Sequence, residues 1–344
     1  MRDILPTLER WAAEGLRTAA ATVVSTEGSA PRDPGAILAV SERDEVAGSV
    51  TGGCVEPAVY EEARDVLAGG KPRLRTYGIA DDQALEVGLP CGGTVRIFVG
   101  LLEPELVRAL AQAVRLEQPV ALVLPVSGAD AGAARLLGAD EPADGELERR
   151  AQELLSRGQT AVLDADGEEV FVCSYAPRPN MYVFGAIDHA AALAEVGRFL
   201  GYRVTVCDAR ARFVTPERFP EVDELVVEWP DSFLERAPVD ARTAICLLTH
   251  DHKFDIPLLK IALRTPAGYI GAMGSRRTTE ERAERLRSEG VTDEELARLR
   301  APIGLRIGAR TPEEVAVAIA GELVQAMRDR PHEAATLATA ELGA

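Results

Sequence analysis

The 344-residue chain has no uninterrupted apolar run long enough to cross a bilayer, and its first residues show no apolar signal-peptide core. No membrane partner is expected, and the expected location is the cytoplasm. Cysteine is scarce: Cys54, Cys91, Cys173, Cys207 and Cys246 are too few and too scattered for a disulfide framework. No C-x-x-C or paired-histidine spacing marks a zinc site. A reducing compartment fits this usage and leaves Cys54 and Cys91 free for chemistry. Basic residues are in deficit, 38 against 55 acidic, for a formal net charge of −17. That balance disfavours sequence-independent binding to nucleic acid or to an anionic membrane. An internal repeat is also absent.

What is present suits a soluble globular protein: 47% hydrophobic and 27% charged residues, with length for about two domains. In the first half, residues 3–13 read as a helix, with strands at 18–25, 35–40 and 45–50. A helix follows Pro57, then strands near 72–78 and 94–102, a helix over 104–116 and a strand at 119–126. Residues 127–145, rich in Gly, Ala and Asp, read as irregular. A helix at 146–157 and strands near 160–164 and 169–175 complete this half. Pro177 and Pro179 forbid a regular element and mark a boundary. Beyond them, apolar runs at 181–185, 203–207, 224–228, 243–249 and 268–273 alternate with helical patterns at 189–200, 256–263, 278–289, 293–299 and 312–328. Buried runs alternating with helices predict a parallel, doubly wound sheet.

Two cysteines stand in glycine-rich turns: Gly48-Ser49-Val50-Thr51-Gly52-Gly53-Cys54-Val55-Glu56 and Leu89-Pro90-Cys91-Gly92-Gly93. Glycines leave the backbone unshielded, so a bulky or anionic ligand can reach both the sulfur and the peptide N–H groups. Pro57 and the apolar positions Ala58, Val59, Ala63, Val66 and Leu67 place Cys54 just ahead of a helix N-terminus, which favours thiolate. Two buried structural cysteines beside tight turns are the alternative, and the sequence leaves both readings open.

In the second half Gly185 ends the first strand where a dinucleotide fingerprint, G-x-G-x-x-G/A, would begin. The text is Gly185-Ala186-Ile187-Asp188-His189-Ala190. Ile187 stands where a glycine would let the backbone approach a pyrophosphate, and Asp188 adds negative charge there. The topology is therefore expected to be Rossmann-like while NAD(P) binding is not. Asp208 ends the second strand, where an acid would take a ribose hydroxyl. The edge at which open α/β sheets bind ligands also carries Thr249-His250-Asp251-His252-Lys253-Phe254-Asp255 and Gly274-Ser275-Arg276-Arg277. His250-Asp251-His252 is a weak metal pattern without further ligands. Gly274, Ser275 and Arg276 at a helix start make an anion cradle, with plain capping by Ser275 as the alternative. Thr311-Pro312-Glu313-Glu314 reads as a helix cap.

Together these motifs resemble the XdhC/CoxI family, accessory proteins of xanthine dehydrogenase and related molybdenum hydroxylases. The match runs in order through Gly28-Ser29-Ala30-Pro31-Arg32, 48–56, 89–93, Val183-Phe184-Gly185-Ala186, Asp208-Ala209-Arg210, Arg218-Phe219-Pro220, 248–255, 269–277 and 302–314. Many members carry glycine where Ile187 stands, histidine near Asp188 and His189, and an acid where Arg306 stands. The resemblance implies an α/β fold. A cysteine-bearing α/β domain with glycine-rich turns would span 1–176, a Rossmann-like doubly wound parallel-sheet domain 177–330, and a tail 331–344. It implies a chaperone rather than a turnover enzyme. Such a protein binds molybdenum cofactor as molybdopterin or its dinucleotide, supports sulfuration by a cysteine desulfurase, and delivers the cofactor to a molybdenum hydroxylase client. The implied contacts are Gly52, Gly53, Cys54, Glu56, Cys91, Gly92 and Gly93 in the first domain, with Cys54 or Cys91 as a soft ligand to molybdenum. In the second they are Gly185, Asp208, His250, Asp251, Gly274, Ser275 and Arg276. A homodimer would shield an air-sensitive ligand, though no periodicity demands one. Two competing readings are an NAD(P)-dependent oxidoreductase using the Rossmann half and a thiol redox protein using Cys54 and Cys91.

Overall fold

Short apolar runs become strands in both halves of the chain, but the two halves pair them differently. The computed structural model describes residues 1–28, 32–78, 93–249 and 251–328. The chain divides into two units, Met1–Pro177 and a second beginning at Arg178.

The first unit runs α1 (Leu5–Ala13), β1 (Thr18–Glu27), β2 (Ile37–Ser41), β3 (Val46–Gly48), α2 (Glu56–Leu67), β4 (Arg73–Tyr77) and β5 (Thr94–Leu101). It continues with α3 (Pro104–Arg115), β6 (Val120–Pro125), β7 (Arg135–Gly138), α4 (Glu146–Arg157), β8 (Ala161–Ala165) and β9 (Glu168–Tyr175). Among the described residues these strands form two antiparallel sheets, ordered β3-β2-β1-β5-β4 and β7-β6-β9-β8. Successive side chains of β1 alternate between two cores, as the strand period of two requires. Ala19, Ala21 and Val23 meet Val59, Ala63 and Val66 of α2 on one face. Ala20 meets Leu8 and Trp11 of α1 on the other. Helix α2 follows from its apolar positions at i, i+4 and i+7 and from Pro57 in its first turn, which needs no donor there. The 127–145 stretch expected to be irregular contains β7. Its Arg135-Leu136-Leu137-Gly138 pairs with Val120–Val123, so a long-range partner supplies what four residues among glycines could not signal.

The second unit runs β10 (Asn180–Phe184), α5 (Asp188–Phe199), β11 (Arg203–Cys207), β12 (Glu224–Val226), α6 (Pro230–Arg236) and β13 (Ala244–Leu247). There follow α7 (His252–Ala262), β14 (Tyr269–Ala272), α8 (Arg276–Ser288), α9 (Asp293–Ala297), β15 (Leu299–Arg300) and α10 (Pro312–Arg328). The sheet is parallel throughout, ordered β12-β11-β10-β13-β14-β15. Its interior strands β13 and β14 are buried at every position because helices cover both faces. One core lies against α5 and α10 and the other against α6 and α7. The chain adds β11 and β12 on one side of β10, then crosses to add β13 on the other. The switch point of this fold therefore lies between β10 and β13. Among the described residues no helix is long and apolar enough to cross a membrane.

Candidate functional site

Gly48 ends β3 with φ +84°, and a Cβ there would stand 2.2 Å from the Ile37 carbonyl oxygen, so glycine is obligatory. The chain then curls around a carboxylate of its own. Glu56, the first residue of α2, reaches back into the turn. Its Oε1 accepts from the Ser49 hydroxyl (2.8 Å) and from the N–H groups of Val50 (3.2 Å), Thr51 (2.9 Å) and Gly52 (2.8 Å). Its Oε2 accepts from the Thr51 hydroxyl (2.7 Å) and the Gly53 N–H (2.8 Å). Burial opposes the charge, but the donors of Thr51, Ser49 and Gly53 outweigh it and hold this carboxyl far below the usual range. The donors at Gly52 and Gly53, expected to face a ligand, are thus turned inward onto Glu56. What the glycines leave open is their outer face: at φ +82° and +128°, the position of an added Cβ has nothing within 4 Å.

Cys54 follows those glycines, half-buried, with its side chain against the core beneath α2 and two residues before the helix starts. Cys173, Cys207 and Cys246 are buried in their units. Burial pushes the Cys173 thiol up and the Cys207 and Cys246 thiols up to about 12, so these three are neutral packing groups at physiological pH. Gly93 is buried beside the start of β5. Cys91 and Gly92 lie outside the described residues, as does His250.

At the switch point of the second unit, Gly185 has φ +109°, and a Cβ there would stand 2.8 Å from Thr249 Cγ2 and 3.2 Å from the backbone of Leu248 and Thr249. This glycine lets the β10 turn approach the end of β13, so its role is satisfied by the chain itself. Gly185→Ala is expected to destabilise the protein by about 2 kcal/mol, read from the urea midpoint, because strain at positive φ adds to the contact. Ile187 packs against the core shared with α5 and α10. Asp188 pairs with Arg218 at 3.1 Å, and Arg218 also donates to the carbonyls of Ala186 and Phe213.

Asp208, expected to face a ribose, has a different task. Its Oδ2 accepts from Ala186 N–H (2.9 Å) and Arg210 Nη2 (2.7 Å), and its Oδ1 from Arg210 N–H and Nε (2.9 Å each). Those four bonds use the acceptor capacity of a carboxylate. Burial works against its charge, but Arg210 and Ala186 more than offset it and keep the pKa low.

Further along the edge, Asp251 caps α7 by accepting from Lys253 N–H at 3.1 Å. Ser275 caps α8, taking the Thr278 N–H at 3.1 Å, while Arg276 is exposed. Capping thus occupies Ser275, the alternative weighed from the sequence. Below these caps lies an ion pair that sequence reasoning missed. Arg282 Nη2 donates to Asp255 Oδ2 at 2.8 Å with both side chains fully buried, and to the Met273 carbonyl at 2.9 Å. The Thr249 hydroxyl donates to Asp255 Oδ1. Arg282 Nε and Nη1, Thr279 Oγ1 and His252 Nδ1 are buried without partners among the described residues. The spacing His252/Asp255 and Thr279/Arg282, one turn apart on neighbouring helices, is the signal that would have drawn attention to it. Among the described residues no three His, Cys, Asp or Glu side chains gather as a metal site.

An α/β chain with a cysteine on a glycine turn and a Rossmann-type unit whose fingerprint is closed by Ile187, Asp208 and Arg210 defines the class. The chain belongs to the XdhC and CoxI family: that family's model matches residues 11–78, and the model of the XdhC Rossmann domain matches residues 181–323. It is similar to an Escherichia coli protein named molybdenum cofactor insertion chaperone PaoD, 28% identical over 323 residues, which covers 92% of this chain and 87% of that one. It is also similar to a Bacillus subtilis protein named as a probable xanthine dehydrogenase subunit, 26% identical over 322 residues, covering 89% of this chain and 92% of that one. A solved structure described as a xanthine dehydrogenase from Bacillus halodurans shares the fold, with TM-score 0.67, 24% identity and coverage of 95% and 96%.

Proposed function

We propose that this protein is a molybdenum-cofactor chaperone that binds the cofactor, supports its sulfuration by a cysteine desulfurase and delivers it to a molybdenum hydroxylase. The observation that carries this reading is Cys54, a free thiol beside the open outer faces of Gly52 and Gly53. The three other described cysteines are buried. A soft sulfur suits molybdenum, and a glycine surface without side chains suits the broad pterin. Glu56 contributes by holding that turn rigid, so that Cys54 is presented without reorganisation. Cys91, beside Gly92 and Gly93, is the second sulfur of this proposal. Within the second unit, Gly274 and the guanidinium of Arg276 offer a small residue and a cation at the start of α8, where the helix dipole favours a phosphate.

In this reading, molybdenum cofactor is cargo: it brings an oxygen-sensitive dithiolene-bound metal and a phosphate, and the chain's task is to hold both away from water. Names of relatives support the role, and the closed fingerprint argues against hydride transfer with NAD(P). Anaerobic incubation with molybdenum cofactor, followed by gel filtration and reconstitution of an apo-hydroxylase, tests it. The parent is expected to co-elute with the cofactor and to activate the client, and Cys54→Ala/Cys91→Ala to lose at least tenfold in both, about 1.4 kcal/mol. A double variant that binds and activates like the parent would remove the sulfur role.

A further inference from the structure

Helices α7 and α8 begin at the carboxyl edge of neighbouring strands β13 and β14, so their positive ends lie on one side of the sheet. The Asp255–Arg282 pair joins them one turn below the start of α7 and nearly two turns below that of α8, with no exposure of either side chain. Asp255 balances the charge of Arg282 but not its donors: Nε and Nη1 are buried with no hydrogen-bond partner among the described residues. Leaving such donors unpaired costs about 1–3 kcal/mol each, a cost that a bound acceptor would remove. Nη1 is directed beneath the turn that opens α8, because a Cβ on Gly274 would stand 3.6 Å from it.

Two more buried groups point to the same place. Thr279 precedes Arg282 by three residues and His252 precedes Asp255 by three, so each lies one turn nearer the helix start on the face joined by the ion pair. Thr279 Oγ1 and His252 Nδ1 are likewise buried and without a partner among the described residues. The first turn of α8 holds no acidic residue. Guanidinium N–H groups, a hydroxyl, an imidazole nitrogen and the acid-free N-terminus of α8 form a set that offers donors and positive potential, whereas the start of α7 is already capped by Asp251. A cation is excluded by the guanidinium, and an uncharged ligand would leave that potential unused. Tetrahedral oxygens carrying negative charge match the set.

We propose that Arg282, Thr279 and His252, beneath the Gly274 turn, form a phosphoryl-binding site. Under the chaperone reading, on which only the identity of the natural ligand rests, this site receives the phosphate of the pterin or the pyrophosphate of its dinucleotide form. Arg282 is the binding cation and Asp255 its positioning residue. The exposed Arg276 is then an outer contact.

Isothermal titration of the full chain with sodium pyrophosphate, inorganic phosphate and, as a control, sodium acetate tests the site without the cofactor. The parent is expected to bind a phosphoryl anion saturably and acetate weakly. Thr279→Val, which keeps the side-chain shape, is expected to weaken binding about tenfold, and Gly274→Ala, which places a methyl over Nη1, to abolish it. Thermal melts verify that both variants are folded, and Thr279→Val carries the test if Gly274→Ala is not. Preference for pyrophosphate assigns the dinucleotide linkage; equal binding of the two anions assigns the terminal phosphate. Absence of saturable binding to either anion, or Thr279→Val binding like the parent, overturns the site. Cofactor that co-elutes with the parent in that case leaves the chaperone reading standing. Anion binding lost in the variants, with no co-elution of cofactor by the parent, supports the site and removes that reading.

Discussion

Asp255→Ala is expected to destabilise the second unit by about 3–5 kcal/mol, the cost of leaving one member of a buried ion pair without its partner. Asp255 and Arg282 are both fully buried, and in the variant Nη2 of Arg282 keeps only the Met273 carbonyl. The Thr249 hydroxyl loses its acceptor as well. The loss is read from the urea midpoint. Asp255→Leu/Arg282→Met is expected to recover most of it, because an apolar pair of similar volume needs no desolvation of charge. It should at the same time fail to bind phosphoryl anions. A single variant within about 1 kcal/mol of the parent would show that water or neighbouring groups already satisfy the guanidinium.

Glu56→Ala is expected to cost about 3 kcal/mol and to loosen the Cys54 turn. The Glu56 carboxylate gathers donors from Ser49, Val50, Thr51, Gly52 and Gly53, so without it the turn has no common acceptor. The expected readouts are a lower urea midpoint and faster amide exchange over residues 49–53. The pH dependence follows from the direction of the shift. The folded carboxyl titrates far below an unfolded glutamate, at about 4.3. The unfolded state therefore takes up the proton first as pH falls. This contribution is complete above about pH 5 and declines progressively below it, toward the folded pKa. The stability gap between parent and Glu56→Ala should accordingly be widest near neutrality and narrow with acid. A gap that stays constant from pH 7 to pH 3 would show that the carboxylate is not the turn's organising charge.

The parallel sheet of the second unit was legible because strands covered on both faces read as continuous apolar runs, as in Ala244–Leu247 and Tyr269–Ala272. Helices α5, α8 and α10 were legible from spacing, and the helix after Pro57 from its proline and its apolar stripe. Helix α6 was not, because Pro230–Arg236 is too short to establish a period. Strand β7 escaped for a similar reason, and strand direction in the first unit is carried by pairing partners rather than by local composition.

For the candidate site, the residue types around Cys54, Gly185 and Gly274 were determined by the sequence alone, since glycine at a sharp turn and proline at a helix start act within a few residues. Their tasks were decided by the tertiary structure. Glu56 fills the donors that its own turn would otherwise offer, and Asp208 is consumed by Arg210 and Ala186. Arg282 sits in the strongly charged run Arg276–Ser288, which reads as a solvated helix. Its burial exists because Asp255, 27 residues earlier in the chain, meets it across two helices. A local sequence pattern specifies which groups are available. Whether a donor faces a ligand, a carboxylate of the same chain or water depends on distances set only when remote segments meet.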